Sequence, residues 1–371
     1  MDFHLTAKKH FIGTLFLLIG LNAFAQKVTY NHLVDASHGP TQQIMALFEN
    51  YIGSNPQLKA ENPYWNSEEQ AKYRNFDFLE EEFEPSLYMG LPAHVLSISF
   101  KEDVAFIKVQ FSYCKADGTP FVLAIVNYLA KKVKGKYRLF NRLPLNRQSW
   151  NCTTVGRVDF YYPDYHEFNY EKAGELTIFI NNLCENFGVK PKPFDYYMAA
   201  NYDEIQVLKG IDYYLGMGGV DRPSGKAAEN KVYCGGLGEF YAHEVFHVQL
   251  EEHFPEMHFW VSEGIATFLG GSRGQSLDWH LKKTNDFLAQ NPEIDLSELL
   301  TLKNLDSETA YHYSLGGLIA RKFWETGKYP LLKKVMATVK TDVDYYKAIE
   351  TYLGIPKDKL NHYLRDQLAH F

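Results

Sequence analysis

The run "HEVFHVQLEEHFPEMHFWVSEG", from His243 to Gly264, gathers four histidines and several carboxylates into one short stretch. Its first five residues read H-E-x-x-H, and the two histidines can act together only on a helix. Four residues at about 100° each return the second imidazole to the face of the first, one turn along. Such a pair reaches a single metal ion, and the run therefore requires a helix here plus a further ligand delivered by another part of the chain. Phe240, Ala242, Val245, Phe246 and Val248 give that helix apolar surface to bury.

Two continuations compete for the third ligand. The first, H-E-x-x-H-x-x-L-x-x-H, uses His253. Ten residues of continuous helix carry His253 to about 280° from His243, off the shared face. A sharp break is needed to bring it back; glycine permits one through positive φ, whereas Leu250 favours another helical turn. The second continuation uses Glu263, inside "FWVSEGIATFLGG" and beyond a loop marked by Pro255. A helix beginning near Phe259 could pack on the first and aim Glu263 at the ion, with Gly264 and Ala266 small enough for close approach. Glu263 is the better candidate. The acidic "LEEHFPE" segment reads as a solvated helix end, and His258, His280 and His312 lack partners at ligand spacing.

"HEVFH" followed by "WVSEGIATFL" resembles the gluzincin metallopeptidases, in particular the peptidase-MA-like group with W-x-x-E-G-x-A around its third ligand. The resemblance extends over about residues 155–340. It implies that His243, His247 and Glu263 hold one Zn2+ per chain, that Glu244 is the general base, and that the substrate is a peptide or protein. Thermolysin-like members often brace a histidine with Asp one turn after the glutamate ligand; here that position is Thr267, which leaves the bracing groups unassigned. No segment resembles the G-A-M-E-N element of aminopeptidases, which favours an endopeptidase. In "TAYHYSLGGLIARKFWE", Tyr311 resembles the family's oxyanion-stabilising tyrosine. Tyr313, about 200° further round a helix, is its rival. The contrasting reading is a non-catalytic envelope or binding protein whose metal site is structural or vestigial.

Residues 1–25 read as a signal peptide: Lys8 and Lys9 precede an apolar run, Phe11–Phe24, and Ala23-Phe24-Ala25 suits cleavage before Gln26. The run is short for a membrane span, so an exported protein, periplasmic or secreted, with no stable membrane insertion after cleavage is expected. No cysteine follows the cleavage point to take a lipid. A formal charge of −7 argues against a nucleic-acid partner. Cys114, Cys152, Cys184 and Cys234 are too widely spaced for a cysteine zinc site or a C-x-x-C redox centre; export would permit disulfides, with free thiols an equal alternative. Nothing in the sequence fixes an oligomeric state.

A chain of 371 residues exceeds one ordinary core and predicts two domains. The predicted class is α+β. In residues 26–153, helical signals run to about Leu91, with Thr41 capping a helix through Ile52. "HVLSISF", "VAFIKVQFSYC", "FVLAIVNYLAKK" and "KYRLFNRL" then form a curved antiparallel meander. Helices followed by such a sheet resemble the nuclear-transport-factor-2-like domains. In residues 154–371, "VGRVDFYYP", "EKAGELTIFINNLCENFG" and "PFDYYMAANY" alternate strand, helix and strand to begin a small sheet. Gly216–Asn230 reads as a loop, "KVYCGG" as a strand able to pair with extended substrate, and the chain after Phe240 as mostly helical.

Overall fold

The computed structural model describes residues 28–57, 61–219 and 223–371, so the signal-peptide expectation for residues 1–25 lies outside the described residues. The fold is α+β, with two sheets and a helical C-terminal half. Two compact units divide it: Met1–Asn151 with Asp203–Asp221, and Cys152–Tyr202 with Arg222–Phe371.

In the first unit, Val28–Tyr30 (β1), Ala93–Lys101 (β2), Val104–Cys114 (β3), Pro120–Val133 (β4) and Lys136–Phe140 (β5) lie side by side in chain order. β2 to β5 are the expected antiparallel meander. β3 shows why it forms: Ala105, Ile107, Val109 and Phe111 alternate onto one face and are fully buried, while their neighbours face outward. Against that face packs helix Gly39–Ile52 (α1), through Ile44, Phe48, Tyr51 and Ile52. Its N-cap is His38 rather than Thr41, because Pro40 is already set for the first turn and lacks an N–H that would go unbonded there. Helix Ser67–Tyr73 (α2) begins at Asn66, whose side chain accepts the Glu69 N–H. Buried Asp77 accepts hydrogen bonds from the hydroxyls of Tyr51, at 2.7 Å, and Tyr128, at 2.8 Å, tying α1 to β4. Register shifts in three strand pairs bend the sheet.

Two features of this unit depart from the sequence expectation. β1 adds a parallel edge strand within the region expected to be helical. Residues 203–221 also return to this unit, so the second one is not the contiguous 154–371. The strand Ile211–Tyr214 pairs with the first half of β4, whose 14 residues outrun β5. Fully buried Lys209 anchors the excursion through Glu81 at 2.9 Å and Glu82 at 2.7 Å. A charge buried this deeply is tolerated only when paired.

The second unit contains Asn151–Val155 (β6) from its second residue on, Val158–Tyr162 (β7), helix Tyr170–Phe187 (α3), Phe194–Ala199 (β8), Ser224–Ala228 (β9) and Lys231–Gly235 (β10). α3 is capped by Asn169 and ends at Gly188, whose φ of 65° is the left-handed conformation glycine adopts freely. The sheet order is β9, β10, β8, β7, β6, with β8 parallel to both β7 and β10 and β9 antiparallel to β10. Lys231–Gly235 is thus an interior, wholly buried strand and not one open to substrate; the edge belongs to β9, inside the stretch expected to be a loop. Six helices follow: Ala242–Leu250 (α4), Phe259–Gly270 (α5), Leu277–Gln290 (α6), Tyr311–Thr338 (α7), Asp342–Leu353 (α8) and Lys357–Leu368 (α9). None of the described helices is long and apolar enough to cross a membrane, and all four cysteines are free.

Candidate metal centre

Every residue of α4 is buried, and its surface divides by periodicity. Val245 and Val248 join α3 and the sheet in one core, while Phe246 and Leu250 join the helical core. His243 and His247 share a remaining face, their ring centroids 5.0 Å apart. α5 supplies the third group. His258 caps α5 by accepting the Trp260 N–H, with its other nitrogen on Asp342, so it is committed to structure. One turn into α5, Glu263 Oε2 lies 3.2 Å from His243 Nε2, and Oε1 lies 3.9 Å from His247 Nε2. One ligand atom from each residue falls within 4.8 Å of the others. His253 stays outside this cluster, exposed on a one-turn helix after α4, so the chain does not break in the way the alternative ligand needs.

Close packing fixes the position of α5, but not quite as the sequence suggested. A Cβ on Gly264 would lie 2.5 Å from Gly316 O, so Gly264 admits α7. Approach to α4 is allowed instead by Gly270, where a Cβ would meet His243 N at 2.6 Å.

The outer nitrogens of both histidines are engaged. His243 Nδ1 is 2.8 Å from Gly271 O, and because a carbonyl only accepts, the ring must donate there, which leaves Nε2 as the nitrogen facing Glu263. His247 Nδ1 is 2.9 Å from Glu251 Oε1, and Ser262 Oγ donates to the same carboxylate at 3.0 Å. These are the bracing groups the sequence left open. Thr267 is fully buried and takes no part. Glu251 was legible in principle, four residues after His247 on the same helical face, but lay in the segment read as solvated.

Charge in the cluster favours a cation. Burial opposes protonation of His247, yet Glu251, then Glu263 and Glu244, outweigh it and raise its pKa to about 10. Burial would likewise raise Glu263, but its hydrogen bond to His243 and the charges of both histidines bring it down to about 2. Three carboxylates crowd two imidazoles whose free nitrogens converge, which fits a divalent ion with N and O ligands such as zinc. Glu244 lies on the next position of α4, nearly buried, its Oε2 accepting the Ala227 N–H of edge strand β9 at 2.7 Å.

The two tyrosines separate clearly. Tyr311 is buried in the helical core with Arg365 as its charged neighbour, not at the cluster. Tyr313 stands edge-on to His243, centroids 5.7 Å apart, and burial followed by the charge of Glu263 raises its pKa. The N-terminal geometry of α7 decides this: its N-cap is Ala310, and two residues rotate the chain by about 200°. His312 lies between Phe259, tilted at 59°, and Tyr313, edge-on at 65°, with burial lowering its pKa to about 4. His280 is held by Thr309 and Ser272 O, and neither histidine joins the cluster.

No family model matches the sequence, and no curated protein matches it. Among solved structures, the M1 zinc metallopeptidase from Deinococcus radiodurans overlaps at a TM-score of 0.29 with 13% identity, covering 74% of this chain and 61% of that one. A point mutant of an M1 enzyme from the same organism gives 0.31 and 13%, covering 73% and 62%. A two-domain M1 zinc metallopeptidase mutant bound to L-arginine gives 0.32 and 13%, covering 74% and 62%. The chain thus spans under two thirds of each of these structures. Overlaps this weak assign no role to any residue.

Proposed function

We propose that this chain is an exported zinc peptidase, with His243, His247 and Glu263 as the ligands of one Zn2+ and Glu244 as general base. The reading rests on one observation: three ligand atoms converge within 4.8 Å on a face where the outer nitrogen of each histidine is already occupied. Bound there, zinc would supply a Lewis acid that polarises a carbonyl and brings the pKa of a water to about 7. Glu244 would take the proton of the attacking water and return it to the departing amine. Its hydrogen bond from Ala227 steadies one oxygen and leaves the other for that exchange. Tyr313 replaces Tyr311 as the proposed donor to the developing oxyanion, since its phenol adds no positive charge beside the ion. β9 replaces Lys231–Gly235 as the strand that would align an extended peptide, because it is an edge and touches Glu244. An endopeptidase remains the favoured form.

Glu244→Gln tests the reaction. The amide keeps the size of the side chain but cannot accept the proton, so zinc content should be unchanged and turnover of the best peptide from a broad library should fall about 100-fold or more. Near-parental turnover would remove Glu244 as base and with it the hydrolytic mechanism.

A further inference from the structure

Arg273 lies in the tight turn between α5 and α6. Ser272 and Gln275 exchange backbone hydrogen bonds at 2.9 Å, and the residue before them, Gly271, accepts from His243. Arg273 itself has φ of 51°, the left-handed conformation of a tight turn, and its N–H donates to Tyr241 Oη. Its guanidinium sits 5.6 Å from the centre of the Tyr313 ring, which in turn meets His243 at 5.7 Å. A guanidinium carries five N–H donors in a fork shaped for a carboxylate. Here one of them donates to Ser307 O, and no carboxylate among the described residues pairs with the side chain. Arg321, by contrast, is matched by Asp278. The turn therefore holds a cation with no carboxylate partner among the described residues, one aromatic ring away from His243.

We infer that Arg273 is a specificity-determining residue that receives a substrate carboxylate close to the scissile bond. This rests on the peptidase reading of the site. Arg273 lies at most about 11 Å from the His243 ring by way of Tyr313, so the carboxylate belongs within about three residues of the bond, at roughly 3.3 Å per extended residue. Two sources share this chemistry: an acidic side chain near the bond, or the C-terminal carboxylate of a short peptide.

The test is equilibrium binding of fluorescent peptides to zinc-loaded Glu244→Gln protein at physiological salt. One matched pair differs only as Glu versus Gln next to the central bond, the other only as free acid versus amide at the C-terminus. The charged member of one pair should bind about tenfold or more tightly, and the pair that responds identifies the source. In the Arg273→Gln background that ratio should fall to within twofold, and Arg273→Lys, which keeps charge but loses the fork, should fall between. Equal binding of both pairs by the parent site would overturn the inference, as would an undiminished ratio in Arg273→Gln. The parent comparison decides the matter even if Arg273→Gln weakens the fold. Carboxylate preference without hydrolysis by the unmutated protein would sink the peptidase reading alone; hydrolysis without preference would sink only this one.

Discussion

Glu251 offers the sharpest test of how the site is built. Replacing it by Ala removes the 2.9 Å contact with His247 Nδ1 and leaves the ring only Ser262 Oγ, at 3.2 Å, as a steadying partner. Partners of this kind orient the imidazole and raise its basicity, and their loss typically weakens metal binding about 10- to 100-fold. That corresponds to about 1.4–2.8 kcal/mol at 1.4 per factor of ten. The Glu251 side chain is 54% exposed, so water screens its charge, and Ser262 can take over part of the hydrogen bonding. The lower end is therefore expected, about tenfold for Glu251→Ala. Glu251→Gln keeps an acceptor and should lose only about threefold. Zinc affinity is measured by competition with a chromophoric chelator, with circular dichroism confirming the fold. Affinity within twofold of the parent in Glu251→Ala would refute the bracing argument, and so would a larger loss in Glu251→Gln than in Glu251→Ala.

The tyrosine assignment predicts that Tyr313→Phe lowers turnover about 100-fold with zinc content and Tm unchanged, while Tyr311→Phe has little effect; peptide turnover by both variants checks this, and the reverse order would restore Tyr311. The charge balance predicts that zinc binding releases a proton. His247 must be neutral to bind metal, yet in the metal-free site its pKa is raised to about 10, so it is protonated at any lower pH. Apparent zinc affinity should therefore climb about tenfold per pH unit through neutrality, about 100-fold between pH 6 and pH 8. A pH-independent affinity over that range would show that no such proton is displaced.

The parts of this molecule that were legible from sequence are those where local pattern and tertiary role coincide. β2 and β3 of the first sheet alternate more and less buried residues, α3 carries its own cap signals, and His243 and His247 need only one helix to meet. What was hidden depends on partners distant in sequence. β9 is built from Ser224, Gly225, Lys226, Ala227 and Ala228, small residues with little intrinsic strand preference, and is a strand because β10 pairs with it. Residues 203–221 return to the first unit because β4 is longer than the hairpin partner it already has, a matter of register that no composition reveals. Gly264 marks a close contact, but with α7 and not α4, since a small residue says that something approaches and not what. Tyr311 and Tyr313 differ only by a rotation set by where α7 begins. Glu251 looked like a solvated helix end, and more than half of it is solvated; its hydrogen bond to His247 uses the remainder.

The central claim is the ligand set, and metal content tests it directly. Purified protein should carry about one zinc per chain, as should His253→Ala, whereas His243→Ala, His247→Ala and Glu263→Ala should lose it while keeping their secondary structure. Retention of zinc by Glu263→Ala, or its loss from His253→Ala, would contradict the account.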